Sequence, residues 1–166
     1  MIAALSRLLK LGDGGLDDLD LVWNAAADYG ADGEVPAGTP PGIEQLASML
    51  RFYNCAMGGG LGFALEVNEP VRVTHAVSAL RYFGLAEPAG FLENVLERRL
   101  NGESPESLPP DDDFYDLVDE GTVRRAFKAK AAQAPSDFGR AQAAVSSVRP
   151  HVVVRGSTDD ERVVDA

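Results

Sequence analysis

Residues 43–68 read IEQLASMLRFYNCAMGGGLGFALEVN, a helical pattern that runs into three consecutive glycines and then a fourth. Ile43, Leu46, Leu50, Tyr53 and Met57 step by three and four, the spacing of one apolar face of an α-helix. The glycines then suit either a phosphate cradle or a turn. A dinucleotide-binding turn follows a strand and is spaced GxGxxG, whereas the residues before Gly58 are helical in spacing and no GKS or GKT ending follows. The role expected of Gly58, Gly59 and Gly60 is therefore structural. They end the helix in left-handed conformations and turn the chain so that Leu61, Phe63 and Leu65 enter the core.

The same periodicity recurs on both sides of this stretch. Leu16, Leu19, Trp23 and Ala26 align before it; Val73, Val77, Leu80 and Phe83, then Leu92, Val95 and Leu96, then Val123, Phe127 and Ala131 align after it. Punctuation agrees: Pro36, Pro40 and Pro41 mark a loop, Pro70 opens a helix that Gly84 can close, and NGESPESLPP at 101–110 is another loop. Only HVVVR at 151–155 looks like a strand, and a lone short strand needs a partner. The expected fold is all-α, a compact single-domain bundle of seven or eight helices over residues 1–155 with a loose tail at 156–166.

A chain of 166 residues with 45% hydrophobic content suffices for one domain with a core, and no apolar run approaches the roughly 20 residues that span a bilayer. The start, MIAALSRLLKLGDGG, has an apolar face broken by Arg7 and Lys10 and no small-residue cleavage pattern, so it reads as mature and soluble. Cys55 is the single cysteine, which excludes an intramolecular disulfide and agrees with a cytoplasmic location.

Charge is the informative pattern. The net charge is −11, yet residues 11–35 hold seven acids and no base, and residues 103–120 hold eight acids and no base. The rest of the chain carries +4, much of it in Arg124, Arg125, Lys128, Lys130, Arg140, Arg149 and Arg155. Direct nucleic-acid binding is not expected of such a surface, because neutralising phosphates requires clustered Lys and Arg. On the first helix Asp17, Asp20 and Asp28 fall on roughly one face with Asp18 beside them, spanning about 16 Å at about 1.5 Å per residue. That is one carboxylate per roughly 4 Å, comparable with the spacing of about 3.4 Å between phosphates along a DNA strand. Solvation alone also accounts for acidic runs. In the second block, Asp111, Asp112 and Asp113 are expected to start a helix, capping the turn that buries Phe114 and Leu117.

Enzymatic arrangements find little support. Cys55, His75 and Asn54 supply the residue types of a thiolate nucleophile but no local signature, and one Cys with His75 and His151 is a poor zinc set. A calcium loop begun in the acidic run would place Asp116 where glycine belongs and Thr122 where a bidentate glutamate belongs. Nothing selects a carboxylate pair for glycoside hydrolysis. No catalytic residue, metal site or cofactor is expected.

Three segments in order resemble one family: IEQLASMLRFYNCAMGGGLGFALEVN, THAVSALRYFGLAEPAGFLENVLE and DDDFYDLVDEGTVRRAFKAKAAQAPSDF. They are similar to the helix and glycine turn, the helix–turn–helix and the acidic FY element of the small acidic bacterial proteins named for a nineteen-kilodalton DNA mimic, otherwise a domain of unknown function. The resemblance covers residues 43–138, and Gly58 and Leu61 stand where the family motif has asparagine and an aromatic. It implies an all-helical fold, a homodimer and, for the characterised type, an acidic surface that occupies the DNA-binding face of a transcription regulator.

The charge pattern nominates the contacts to such a basic partner: Asp17, Asp18, Asp20 and Asp28 on one element, and Asp111, Asp112, Asp113, Asp116, Asp119 and Glu120 on another. The expected function is that of a non-enzymatic acidic interaction protein. An immunity or antitoxin-like protein that neutralises one cognate toxin enzyme is the alternative.

Overall fold

The computed structural model describes residues 16–104 and 107–139, and every regular element among them is helical. In chain order these are α1 (Leu16–Asp32), α2 (Pro41–Val67), α3 (Pro70–Tyr82), α4 (Ala86–Leu100), the single turn α5 (Asp111–Tyr115) and α6 (Glu120–Gln133), followed by a 3-10 turn at Pro135–Phe138. The all-α expectation holds. The strand expected at 151–155 and the tail at 156–166 lie outside the described residues.

The apolar stripes form the core as their spacing implies. Trp23 and Ala26 of α1, Ile43, Leu46 and Leu50 of α2, Val73, Val77 and Leu80 of α3, Leu92 and Val95 of α4, and Val123, Phe127 and Ala131 of α6 are all buried. α2 is the central element, packing on α1 and α3, while α3 packs in turn on α4. Prolines begin two of the helices, Pro41 in α2 and Pro70 in α3, where the missing N–H costs nothing. Gly84 closes α3 as expected: at φ 78° it lets Leu85 N–H donate to the Leu80 carbonyl at 2.8 Å and its own N–H to that of Arg81 at 3.0 Å.

The glycine run behaves differently from the expectation in two respects. Gly58 and Gly59 stay helical, and the break falls on Gly60 alone, at φ 88° and ψ 165°. Three flexible residues in a row did not need three left-handed conformations, because one residue in this glycine-only region suffices to redirect the chain. Beyond the break, residues 61–67 resume the helix; Leu61 and Leu65 are buried, but Phe63 is 48% exposed. Residues 61 and 65 share a face of a helix and residue 63 lies on the other side, so the expectation that Phe63 enters the core is corrected.

Gly58 has no atom within 4 Å of where a Cβ would stand. Gly58→Ala is therefore expected to stabilise the protein by about 0.5–1 kcal/mol through helix propensity. Urea denaturation of the two proteins measures it, and a loss of stability would contradict a helical Gly58.

A buried polar junction fixes the far end of α2. Asn68, 3% exposed, donates from Nδ2 to the Ala64 carbonyl at 2.8 Å and accepts at Oδ1 from Arg51 Nε at 2.9 Å. Arg51 also donates from Nη1 to the Gly30 carbonyl at 2.8 Å, and Arg72 Nη1 donates to the Gly33 carbonyl at 3.2 Å. Two guanidinium groups thus satisfy the carbonyls at the C-terminal end of α1, where a positive charge also suits the helix dipole.

Candidate acidic interface

The two acidic blocks meet through one arginine. Arg124 of α6 lies 3.6 Å from Asp20 of α1 and donates from Nε to Glu120, one turn earlier on its own helix, at 2.9 Å. Its guanidinium also stacks over the Trp23 ring, 4.5 Å from the centroid. Beneath it Trp23 and Phe127 pack with centroids 5.7 Å apart, and Phe127 continues to Phe138 at 5.6 Å. An aromatic cluster therefore carries Asp20 and Glu120 on neighbouring helices, with one cation between them.

The nominated acids differ in their surroundings. Asp20, Asp28, Asp112, Asp113, Asp116, Asp119 and Glu120 are exposed, whereas Asp18 is 8% exposed. The side chain of Asp17 lies outside the described residues. Asp111 is half-buried and has a structural bond: its Oδ1 accepts the Leu61 N–H at 2.7 Å. That N–H is the first donor after the Gly60 break, so Asp111 caps the resumed helix of α2 from a position fifty residues further along the chain. The expectation that Asp111, Asp112 and Asp113 cap their own turn is corrected, since α5 follows Pro110 with no side-chain cap. Phe114 of that turn is buried and Leu117 half-buried.

Asp119 caps α6, accepting the Thr122 N–H. That bond, then the Thr122 side chain and the nearby Arg125 guanidinium, hold its carboxyl below the usual aspartate range. A carboxyl depressed in the folded state takes up its proton less readily than in the unfolded chain. Its contribution is thus fully present above the ordinary value of about 3.9 and lost as pH falls through the folded-state value. Asp119→Ala is expected to lower stability at pH 7 and to reduce the further loss between pH 5 and 3, read from urea midpoints across that range; identical acid limbs would contradict this.

Two tyrosines register the local negative potential. Partial burial, then Glu120 and Asp119, raises the Tyr53 phenol above its ordinary value. Partial burial, then Asp111 and Asp112, raises that of Tyr115, whose hydroxyl donates to the Ala56 carbonyl at 2.8 Å. Tyr53 belongs to α2 and Tyr115 to the second acidic block itself.

Cys55 is half-buried on α2 and His75 is exposed on α3. Among the described residues no group of three or more His, Cys, Asp or Glu is placed to hold a metal ion, and no helix is long and apolar enough to cross a membrane. No protein-family model, curated protein or solved structure matches the chain.

Sequence reasoning missed the cap from Asp111 to Leu61 and the pairing of Asp20 with Arg124. Each joins residues far apart in the chain, and neither has a local signal. The cap at Asp119 was open to detection, since an aspartate directly before a helical pattern is an N-cap signature.

Proposed function

We propose that this chain is a non-enzymatic acidic interaction protein, a DNA mimic of the kind its sequence resembles, which occupies the DNA-binding face of a basic partner such as a transcription regulator. The observation that supports the reading is the approach of the two acidic blocks, with Asp20 and Glu120 at 3.6 and 2.9 Å from the same arginine. A mimic of duplex DNA needs two carboxylate tracks near one another, because a partner's cations meet two phosphate strands. The bacterial and homodimeric character implied by the resemblance, and the cytoplasmic location expected from the single cysteine, belong to the same proposal.

The exposed acids Asp20, Asp28, Asp112, Asp113, Asp116 and Glu120 carry the recognition. Asp111 and Asp119 serve first as caps, and Asp18, being buried, is not among the contacts. Docking is steered by long-range attraction and weakened by salt.

The test is the triple substitution Asp112→Asn, Asp113→Asn and Asp116→Asn, which removes three exposed charges without touching a cap. Each exposed ion pair contributes up to about 1 kcal/mol, so affinity for a partner captured from bacterial lysate is expected to fall about tenfold to a hundredfold at low salt. The salt dependence becomes shallower as well. Unchanged affinity and slope would remove these residues from the interface.

A further inference from the structure

Arg124 occupies a seat built by two helices. Asp20 and Trp23 lie one turn apart on α1, and Glu120 stands on α6. The Arg124 guanidinium is 3.6 Å from Asp20, donates to Glu120 at 2.9 Å and has its Cζ over the Trp23 ring, 4.5 Å from the centroid. An aromatic face flanked by two carboxylates suits a guanidinium better than an ammonium, because a planar cation stacks on the ring while its N–H fork reaches the oxygens.

The walls of this seat are held independently of its occupant. Trp23 is 9% exposed and packs on Phe127 with centroids 5.7 Å apart, so an aromatic contact joins α1 to α6 beneath the charges. The ion pairs themselves are open to water: the side chains of Arg124, Asp20 and Glu120 are 38%, 61% and 66% exposed. Pairs of this kind contribute little to stability, so Arg124 is weakly held. Arg125, next in the chain, is engaged with Thr122 Oγ1 at 2.9 Å.

We infer that this seat is a guanidinium-binding site of the acidic face, kept by Arg124 in the free chain and taken by an arginine of the partner on docking. The inference rests on the proposed reading of that face as an interface for a basic protein, and it names the side chain the interface takes. Arginine is the residue that grips phosphates bidentately and reads guanine edges, so a DNA-binding face has such side chains to offer. The exchange keeps Trp23 covered and both carboxylates paired, while Arg124 turns to solvent.

The test uses octa-arginine and octa-lysine peptides as probes, with affinities measured by calorimetry at low salt for the full chain and for Arg124→Ala. Losing one positive charge strengthens binding of both peptides alike, by about threefold. An emptied guanidinium seat adds to this for octa-arginine alone, whose affinity is expected to rise about tenfold or more. Trp23 is the chain's single tryptophan, so its emission should change when octa-arginine binds Arg124→Ala. Adding Asp20→Asn to Arg124→Ala removes one wall at an exposed position and should abolish the extra gain. Both variants keep every buried apolar residue, and far-UV circular dichroism verifies their fold. Equal gains for the two peptides, no gain for either, or an arginine preference that survives Asp20→Asn would overturn the inference. No transcription regulator or duplex enters this measurement, so its failure is distinct from that of DNA mimicry, which competition with a duplex decides.

Discussion

Phe127→Ala is expected to destabilise the protein by about 3–5 kcal/mol, the range for emptying an aromatic site in a well-packed core. Phe127 is 1% exposed and is shared by three parts of the chain, touching the ring of Trp23 in α1 and that of Phe138 after α6. Small domains are stable by about 5–15 kcal/mol, so the loss is about a fifth of the total or more. Thermal denaturation should show a midpoint lowered by about 6–20 °C. Under the proposed function the consequence reaches binding, because the same cluster supports Arg124 over Trp23, and Arg124 contacts both Asp20 and Glu120. At a temperature where the variant remains folded, its affinity for a basic partner should still fall. A loss of less than about 1 kcal/mol would mean that Phe127 does not hold α6 to α1.

Gly60→Ala is expected to cost about 3 kcal/mol. The backbone at φ 88° and ψ 165° is open to glycine almost alone, and forcing an alanine there costs about 1–3 kcal/mol. An added Cβ would stand 2.5 Å from Asp111 Oδ2 and push away the carboxylate that caps the Leu61 N–H, at a cost of about 1 kcal/mol more. The two contributions separate in a double-mutant cycle. Asp111→Ala alone loses the cap, but in the Gly60→Ala background it also relieves the clash, so the double variant should be more stable than the sum of the single losses. Strict additivity in urea denaturation would show that the carboxylate and the glycine are not coupled. The contrast with Gly58→Ala, two residues away and expected to stabilise, makes the pair a sharp test of where the helix breaks.

The helices were legible in the sequence because their apolar period is local and strong. Val123, Phe127 and Ala131 were placed on a buried face by spacing alone, and the closing role of Gly84 followed from its position after a helical stripe. The glycine run was legible as a turn but not as a turn at Gly60. Three glycines are equally permissive, and the choice among them is made by Asp111, which arrives from fifty residues away. Phe63 is not in the core with Leu61 and Leu65, because the helix resumes after Gly60 and turns residue 63 away from the face that 61 and 65 share. The polar junction of Arg51, Asn68 and Gly30 left no trace in sequence, since none of the three residues is unusual by itself.

Of the candidate interface, the acidic segments were plain from composition, while their proximity was not. Two blocks with residues 36–102 between them give no sign of adjacency until α6 packs on α1 through Trp23 and Phe127. Structure also divides the acids by task. Asp111 and Asp119 hold helix ends, Asp18 is buried, and Asp20 and Glu120 share a cation, which leaves Asp28, Asp112, Asp113 and Asp116 as charges with no salt bridge among the described residues.

The most direct test of DNA mimicry is competition between this protein and a duplex for the same site. A partner captured on the immobilised chain is challenged with a short double-stranded oligonucleotide and, in parallel, with a neutral polymer at equal ionic strength. Mimicry predicts that the duplex releases the partner in proportion to its concentration while the neutral polymer does not. Retention of the partner at duplex concentrations that saturate its own DNA binding would contradict the account.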